Sequence, residues 1–232
     1  MIMKICILGN SHAASLKLGW DEISPYHPDK QLTFFASRQK GLKSLALVKN
    51  KLVPQTEVLK KNISFTSGGL NHVDLDEYDL FVTYGLGLPI PSFDKNYSSS
   101  VVKQTCLDLF SQSINGKICS IIRQASMKPI YVGHNPQKAA LSARPEFRTN
   151  NLNYLQTLNL MNKAIFVTGA VIVQQPEETL INHWHTDLRF SVGSTRLDVG
   201  DKISGQSHPD HDFGHMNNDF GKLWLEALFR LI

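Results

Sequence analysis

The chain of 232 residues is 42% hydrophobic, enough for a sizeable core, and reads as one domain over 1–232. Its formal charge of +4 is spread along the chain without a run of like charges, too mild for a nucleic-acid partner but suited to an anionic substrate. No stretch reaches the roughly 20 apolar residues of a membrane span, and the start MIMKICILGN lacks a small-residue cleavage site, so no membrane span and a cytoplasmic location are expected.

The first element is a strand over 3–8 (MKICIL), which breaks at Gly9 and leads through Asn10, Ser11 and His12 into a helical stretch over 12–20. Further strands are expected at 31–36 (QLTFFA) and 79–84 (DLFVTY), apolar with little alternation, as in strands buried on both faces. The segment 85–98, rich in Gly, Pro and Ser, is a loop within the domain. Helical spacing follows over 98–114 and 117–127, then a strand at 129–133 (PIYVG) and a helix over 150–165. A second long loop, 193–213, precedes a helix over 217–231 that carries Phe220, Leu223, Trp224, Leu228 and Leu231 on one stripe, with Asn217 as its cap. Cys6, Cys106 and Cys119 lie in apolar contexts without CxxC spacing and fit reduced, buried thiols.

Strands alternating with helices predict an α/β architecture: a mainly parallel sheet covered on both faces, whose ligands bind beyond the carboxyl ends of the strands. The residues to inspect are therefore Gly9 to His12, Ser37 to Gly41, Gly85 to Gly87 and His134 to Pro136, all expected on one rim. Ser11 has two readings. As the last polar residue before a helix it serves as a cap; at the same spot, free amides and the positive end of the helix dipole favour a nucleophilic hydroxyl and its oxyanion. Both uses are compatible.

The second feature is HPDHDFGHMNNDFG, 208–221, which carries Asp212 and His215 in a D-x-x-H arrangement. Such a carboxylate can orient one imidazole nitrogen while the other faces a serine hydroxyl. The spacing alone is common by chance; its place in a late loop before the last helix adds weight. His208, Asp210, His211, Asp212 and His215, with HWHTD at 183–187, are also N and O donors of the kind that bind a divalent metal. Their spacing matches no standard zinc signature, so neither a metal nor an organic cofactor is expected. His12 is expected to point away along its helix. Trp20, Trp184 and Trp224 are read as core or groove-wall aromatics, and Arg123, Lys128, Arg144 and Arg148 as a basic rim or a solvated face.

Gly9-Asn10-Ser11-His12 near the start and Asp212-Phe213-Gly214-His215 near the end resemble the blocks of the SGNH (GDSL-like) hydrolases, serine esterases. The opening block, VQQPEETL at 173–180 and the closing DFGHMNNDFG are further similar to bacterial SGNH-like proteins associated with surface polysaccharides. The resemblance implies a three-layer α/β/α sandwich with a flavodoxin-like sheet, and catalysis by Ser11, His215 and Asp212 without a cofactor. It implies a small-molecule or glycan ester as substrate, with an O-acetylated carbohydrate foremost. It assigns Gly41 to the oxyanion hole; the asparagine of the third block is absent from Gly85-Leu86-Gly87, leaving Asn135 or the Gly85 amide as the third donor. Asn10, where the family has Asp, is expected to organise the loop. The same residues would serve an acyltransferase, and a non-catalytic carbohydrate-binding relative would keep the fold.

Overall fold

A computed structural model describes residues 2–140, 151–182 and 184–232. The first half contains β1 (Met3–Gly9), α1 (Ala13–Ile23), β2 (Lys30–Ala36), the hairpin β3 (Leu45–Val48) and β4 (Lys51–Pro54), and α2 (Glu57–Thr66). It continues with β5 (Val73–Asp74), β6 (Leu80–Tyr84), α3 (Ser99–Gln112) and α4 (Ile114–Arg123). The second half adds β7 (Ile130–Gly133), β8 (Ala139–Ala140), α5 (Tyr154–Ile165), β9 (Ala170–Val173), β10 (Leu180–Ile181), β11 (His185–Asp187) and α6 (Asn218–Phe229).

Five strands pair in the order β2-β1-β6-β7-β9, all parallel. Their alternate residues feed two cores. Cys6, Leu8, Phe35, Phe81, Ile130 and Val132 meet the buried faces of α2, α3, α4 and α5, whereas Ile5, Ile7, Phe34, Val82 and Tyr84 meet α1 and α6. The result is the expected α/β/α layering, and it explains why the strands read as continuous apolar runs. Trp224 of α6 is 2% exposed and packs edge-on against Tyr84, with ring centroids 4.8 Å apart. Truncating such a residue to Ala typically costs about 3–5 kcal/mol.

The four strands read from the sequence are present, and the helices at 98–114 and 117–127 are observed one residue apart, at Ser99–Gln112 and Ile114–Arg123. Ser113 makes that break, donating to the Phe110 carbonyl at 2.6 Å and accepting from the Gly116 amide at 3.0 Å. Three elements of the main layers or their flank are additional: β9, whose run is only AVIV, the β3–β4 hairpin, and α2, capped by Thr56. The three cysteines are buried and unpaired, and burial pushes their thiols up. Among the described residues no helix is long and apolar enough to cross a membrane.

Two glycines fix how α1 and α6 meet. A Cβ on Gly19 would lie 2.6 Å from the Lys222 amide, and one on Gly221 would strike the Ser15 carbonyl, so the backbones touch. Because Ser15 and Gly221 each lie in the first turn of their helix, the two N-termini are brought together.

Candidate active site

The register aligns Ala36, Gly9, Tyr84 and Gly133 in one row at the strand ends. The loops that follow form a single rim, as expected for a parallel sheet. Space there is tight: a Cβ on Gly9 would lie 2.6 Å from that of Ala13, and one on Gly133 would run into Tyr84 and Trp224. Gly85 adopts φ +65°, and a Cβ on it would lie 2.7 Å from Asn10 Oδ1 and 2.8 Å from the His12 Cβ. A residue free of Cβ is therefore required, both for the backbone and for the approach of the Ser11 loop.

Asn10 organises that loop, its Oδ1 accepting the His12 amide at 3.0 Å. Ser11 does not cap α1. The N-cap is His12, without a side-chain cap bond, and Ser11 Oγ instead lies 3.0 Å from His215 Nε2. The Ser11 amide finds no acceptor among the described residues.

The partner ring is held by a compact turn. Asp212 Oδ1 accepts the amides of Gly214 and His215 at 2.9 and 3.0 Å, leaving Oδ2 to accept from His215 Nδ1 at 2.9 Å. Burial alone raises the Asp212 pKa, but these donors outweigh it and bring it down to about 2, so the carboxylate is ionised at neutral pH. With Nδ1 protonated, His215 Nε2 is an acceptor toward the Ser11 hydroxyl. Asn217 then caps α6, its side chain accepting the Phe220 amide at 3.2 Å.

The site's geometry is that of a hydrogen-bonded serine, histidine and aspartate, set by a parallel α/β rim. No protein-family profile matches the chain, and no curated protein matches it in sequence. Among solved structures, the periplasmic domain of a lipopolysaccharide acetyltransferase from Salmonella ser. Paratyphi A aligns over 100% of this chain and 84% of its own, with a TM-score of 0.50 and 16% identity. A DUF4886 family protein from Bacteroides uniformis aligns over 99% and 84%, with a TM-score of 0.39 and 11% identity. The shared fold is a mainly parallel sheet covered on both faces by helices.

The asparagine that the sequence resemblance leaves missing from the third-strand loop has a counterpart after the next strand. Asn135, after β7, accepts the Gly87 amide on Oδ1 at 3.0 Å, which turns its Nδ2 toward His12 Nε2 at 3.4 Å. Below it lies a buried polar network. His134 Nε2 pairs with the Tyr154 hydroxyl at 2.7 Å, the hydroxyl accepts the Gln175 amide at 2.8 Å, and Gln175 Oε1 accepts the Gln137 amide at 2.9 Å. Gln175 Nε2 also reaches Thr179 and Thr186, so part of the VQQPEETL stretch holds the Asn135 loop in place. Burial pushes the His134 pKa down to about 4.

The two glycine amides named from the sequence are directed elsewhere. Gly41 N–H donates to the Arg38 carbonyl at 3.3 Å, and Gly85 N–H to the Gly133 carbonyl at 3.0 Å, continuing the sheet. At Gly41 the glycine is needed for packing, since a Cβ would meet Ser37 Oγ. Two of the basic residues read as a rim or a solvated face lie at the opposite end of the sheet, before β7. Arg123 donates to the carbonyls of Ser126, Lys128, Thr168 and Gly169, and Lys128 to those of Leu75 and Asp76. Arg144, Arg148 and His183 lie outside the described residues.

His12 does not point away. Its ring stacks on that of His215, centroids 4.7 Å apart and planes at 22°, and burial, then the His215 charge, push its pKa down to about 3. His208 stacks on the other face of His215, at 4.0 Å and 11°. Asp210 and His211 are exposed and take no part. Among the described residues, His208, Asp212 and His215 are the set whose donor atoms could converge on a metal. Their spacing favours protons: Oδ2 lies 3.0 and 2.9 Å from the two Nδ1 atoms, whereas ligands about 2.0–2.1 Å from a tetrahedral zinc ion stand roughly 3.3 Å apart.

Proposed function

We propose that the protein is a serine-dependent enzyme that handles acyl groups on a carbohydrate, with removal of an acetyl-sized group as the leading reaction. The carrying observation is the chain from Ser11 Oγ to His215 Nε2 at 3.0 Å and from His215 Nδ1 to Asp212 Oδ2 at 2.9 Å. Ser11 Oγ attacks the acyl carbon as His215 Nε2 takes its proton; the carbonyl π electrons move to oxygen. The tetrahedral intermediate expels the alcohol, which receives that proton, and leaves an acyl-Ser11. Water, deprotonated by the same ring, then attacks the acyl carbon; the bond to Ser11 Oγ breaks, Oγ receives the proton from His215, and the acid leaves. Asp212 keeps Nδ1 protonated and offsets the imidazolium charge. The free Ser11 amide and Asn135 Nδ2 are the donors available to the oxyanion.

Transfer to a sugar hydroxyl in place of water is the second reading. The observation favouring it is the shared fold with a lipopolysaccharide acetyltransferase domain, aligned over the whole of this chain. Turnover of p-nitrophenyl acetate by the wild type and Ser11→Ala tests the nucleophile: loss of at least about 10³-fold is expected, and equal rates would remove it. Acetate release unaffected by added sugar acceptors supports hydrolysis, and acetyl-sugar formation supports transfer. Activity abolished by a chelator but indifferent to Ser11 would promote a metal at the histidine cluster instead.

A further inference from the structure

We propose that His208 is a positioning residue for His215, acting through the carboxylate that the two imidazoles share. Asp212 Oδ2 lies 3.0 Å from His208 Nδ1 and accepts from His215 Nδ1 at 2.9 Å, and the rings lie parallel within 11°. With their Nδ1 edges gathered on one oxygen, their Nε2 edges face away from Asp212, that of His215 toward Ser11. The His208 side chain is 7% exposed and its Nε2 has no partner among the described residues. A buried ring nitrogen left unpaired costs about 1–3 kcal/mol, a cost an apolar ring would avoid.

The long loop fixes this ring in place. The His208 amide donates to the Ser194 carbonyl at 2.8 Å, the Arg196 amide to that of Gln206 at 2.8 Å, and Thr195 pairs with Ser207. His215 is thus clamped between His208 and His12, which limits rotation of the ring that must accept and return a proton. The His208 N–H also draws on the charge of Oδ2, so Asp212 holds a protonated His215 less tightly and the proton is returned more readily. The charged and titratable groups acting on His208 are His215, Asp212, Arg196 and Arg38, with His12 beyond His215. Burial and His215 push its pKa down, which favours the neutral ring.

This inference rests on the reading of Ser11, Asp212 and His215 given above, and its test separates the two. His208→Phe keeps a ring and removes the donor; His208→Asn keeps a donor in the place of Nδ1 and removes the ring. Each is compared with wild type in the pH profile of kcat/KM on p-nitrophenyl acetate and in a proton NMR titration of His215, which needs no turnover. In His208→Phe the acid limb and the NMR midpoint should both rise by about 0.5–1 pH unit, the scale of one lost donor to a partly exposed carboxylate. His208→Asn should restore both. Midpoints unchanged in His208→Phe, or shifted equally in both variants, would overturn the role. If Ser11→Ala keeps wild-type turnover while the NMR midpoint still moves in His208→Phe, the nucleophile reading falls and the coupling stands. If Ser11→Ala is inactive and the midpoint does not move, only His208 loses its role.

Discussion

Replacing Asp212 by Asn tests the reaction at its most constrained atom pair. Oδ1 serves the Gly214 and His215 amides at 2.9 and 3.0 Å, and an amide oxygen can take over both bonds. The amide nitrogen then occupies the place of Oδ2 and presents N–H to His215 Nδ1. That ring must accept at Nδ1 and carry its proton on Nε2, the atom 3.0 Å from Ser11 Oγ, where it can no longer take the serine proton. The opposite amide orientation would leave two backbone N–H groups without their acceptor, at about 1–3 kcal/mol each if they stay buried, so the turn itself selects the inactive tautomer. The expected fall in kcat is about 10⁴-fold, or about 5.5 kcal/mol of transition-state stabilisation. Steady-state rates on p-nitrophenyl acetate measure it, with urea unfolding alongside to show that the variant remains folded. A folded variant that keeps more than about a tenth of the wild-type kcat would refute the proton-transfer role of this pair.

Asn135→Ala should lower kcat about 10²–10³-fold with little change in KM, the loss expected for one oxyanion donor; an unchanged kcat would leave the Ser11 amide as the donor with no help from this side chain. Gly221→Ala forces a methyl into the Ser15 carbonyl and should cost about 1–3 kcal/mol by urea unfolding, with activity reduced in the protein that remains folded because Ser11 and His215 are displaced. Full activity there would separate the helix contact from the site. Acid should destabilise the fold through His12 and His134, whose folded pKa values of about 3 and about 4 lie below the ordinary 6.5. Depressed values mean that the unfolded chain binds more protons, so this stability is present above 6.5 and is lost as pH falls toward 4 and 3. The loss at pH 5 is about 2 kcal/mol per histidine. Urea midpoints at pH 7.5 and pH 5 check this, and His134→Gln should narrow the difference between them; equal midpoints for the wild type would contradict it.

The strands that position the site were legible because each is apolar on both faces and ends at a glycine or a polar turn, as at Gly9 and Tyr84-Gly85. Asp212 and His215 were legible as a bonded pair, since a carboxylate three residues before an imidazole can bond its Nδ1 within one turn. Asn135 was named, but its strand of origin did not disclose that it reaches across to the Gly87 amide. The bonding of the two glycine amides was not legible, for a general reason. A sequence shows where an N–H is, whereas Arg38 and Gly133 show where Gly41 and Gly85 direct theirs. The pairing of Gly19 and Gly221 with opposing backbones was hidden as well, because helix-interior glycines carry no periodic signal that names their distant partner.

The start of α1 shows how these levels combine. His12 occupies the N-cap without a side-chain bond, and exchanging a good cap for a poor one costs about 1 kcal/mol. The tight backbone packing of α1 on α6 and the buried His12 ring offset that cost. Had the Ser11 hydroxyl bonded an amide of the first turn, it would be turned from His215, and an amide would be occupied at the end of the helix where the dipole favours negative charge. Leaving the cap unfilled keeps the Ser11 amide free and its Oγ on His215 Nε2. A polar residue at a strand–helix junction is therefore read correctly only when its acceptor is known, and here that acceptor is supplied by the turn that ends at His215.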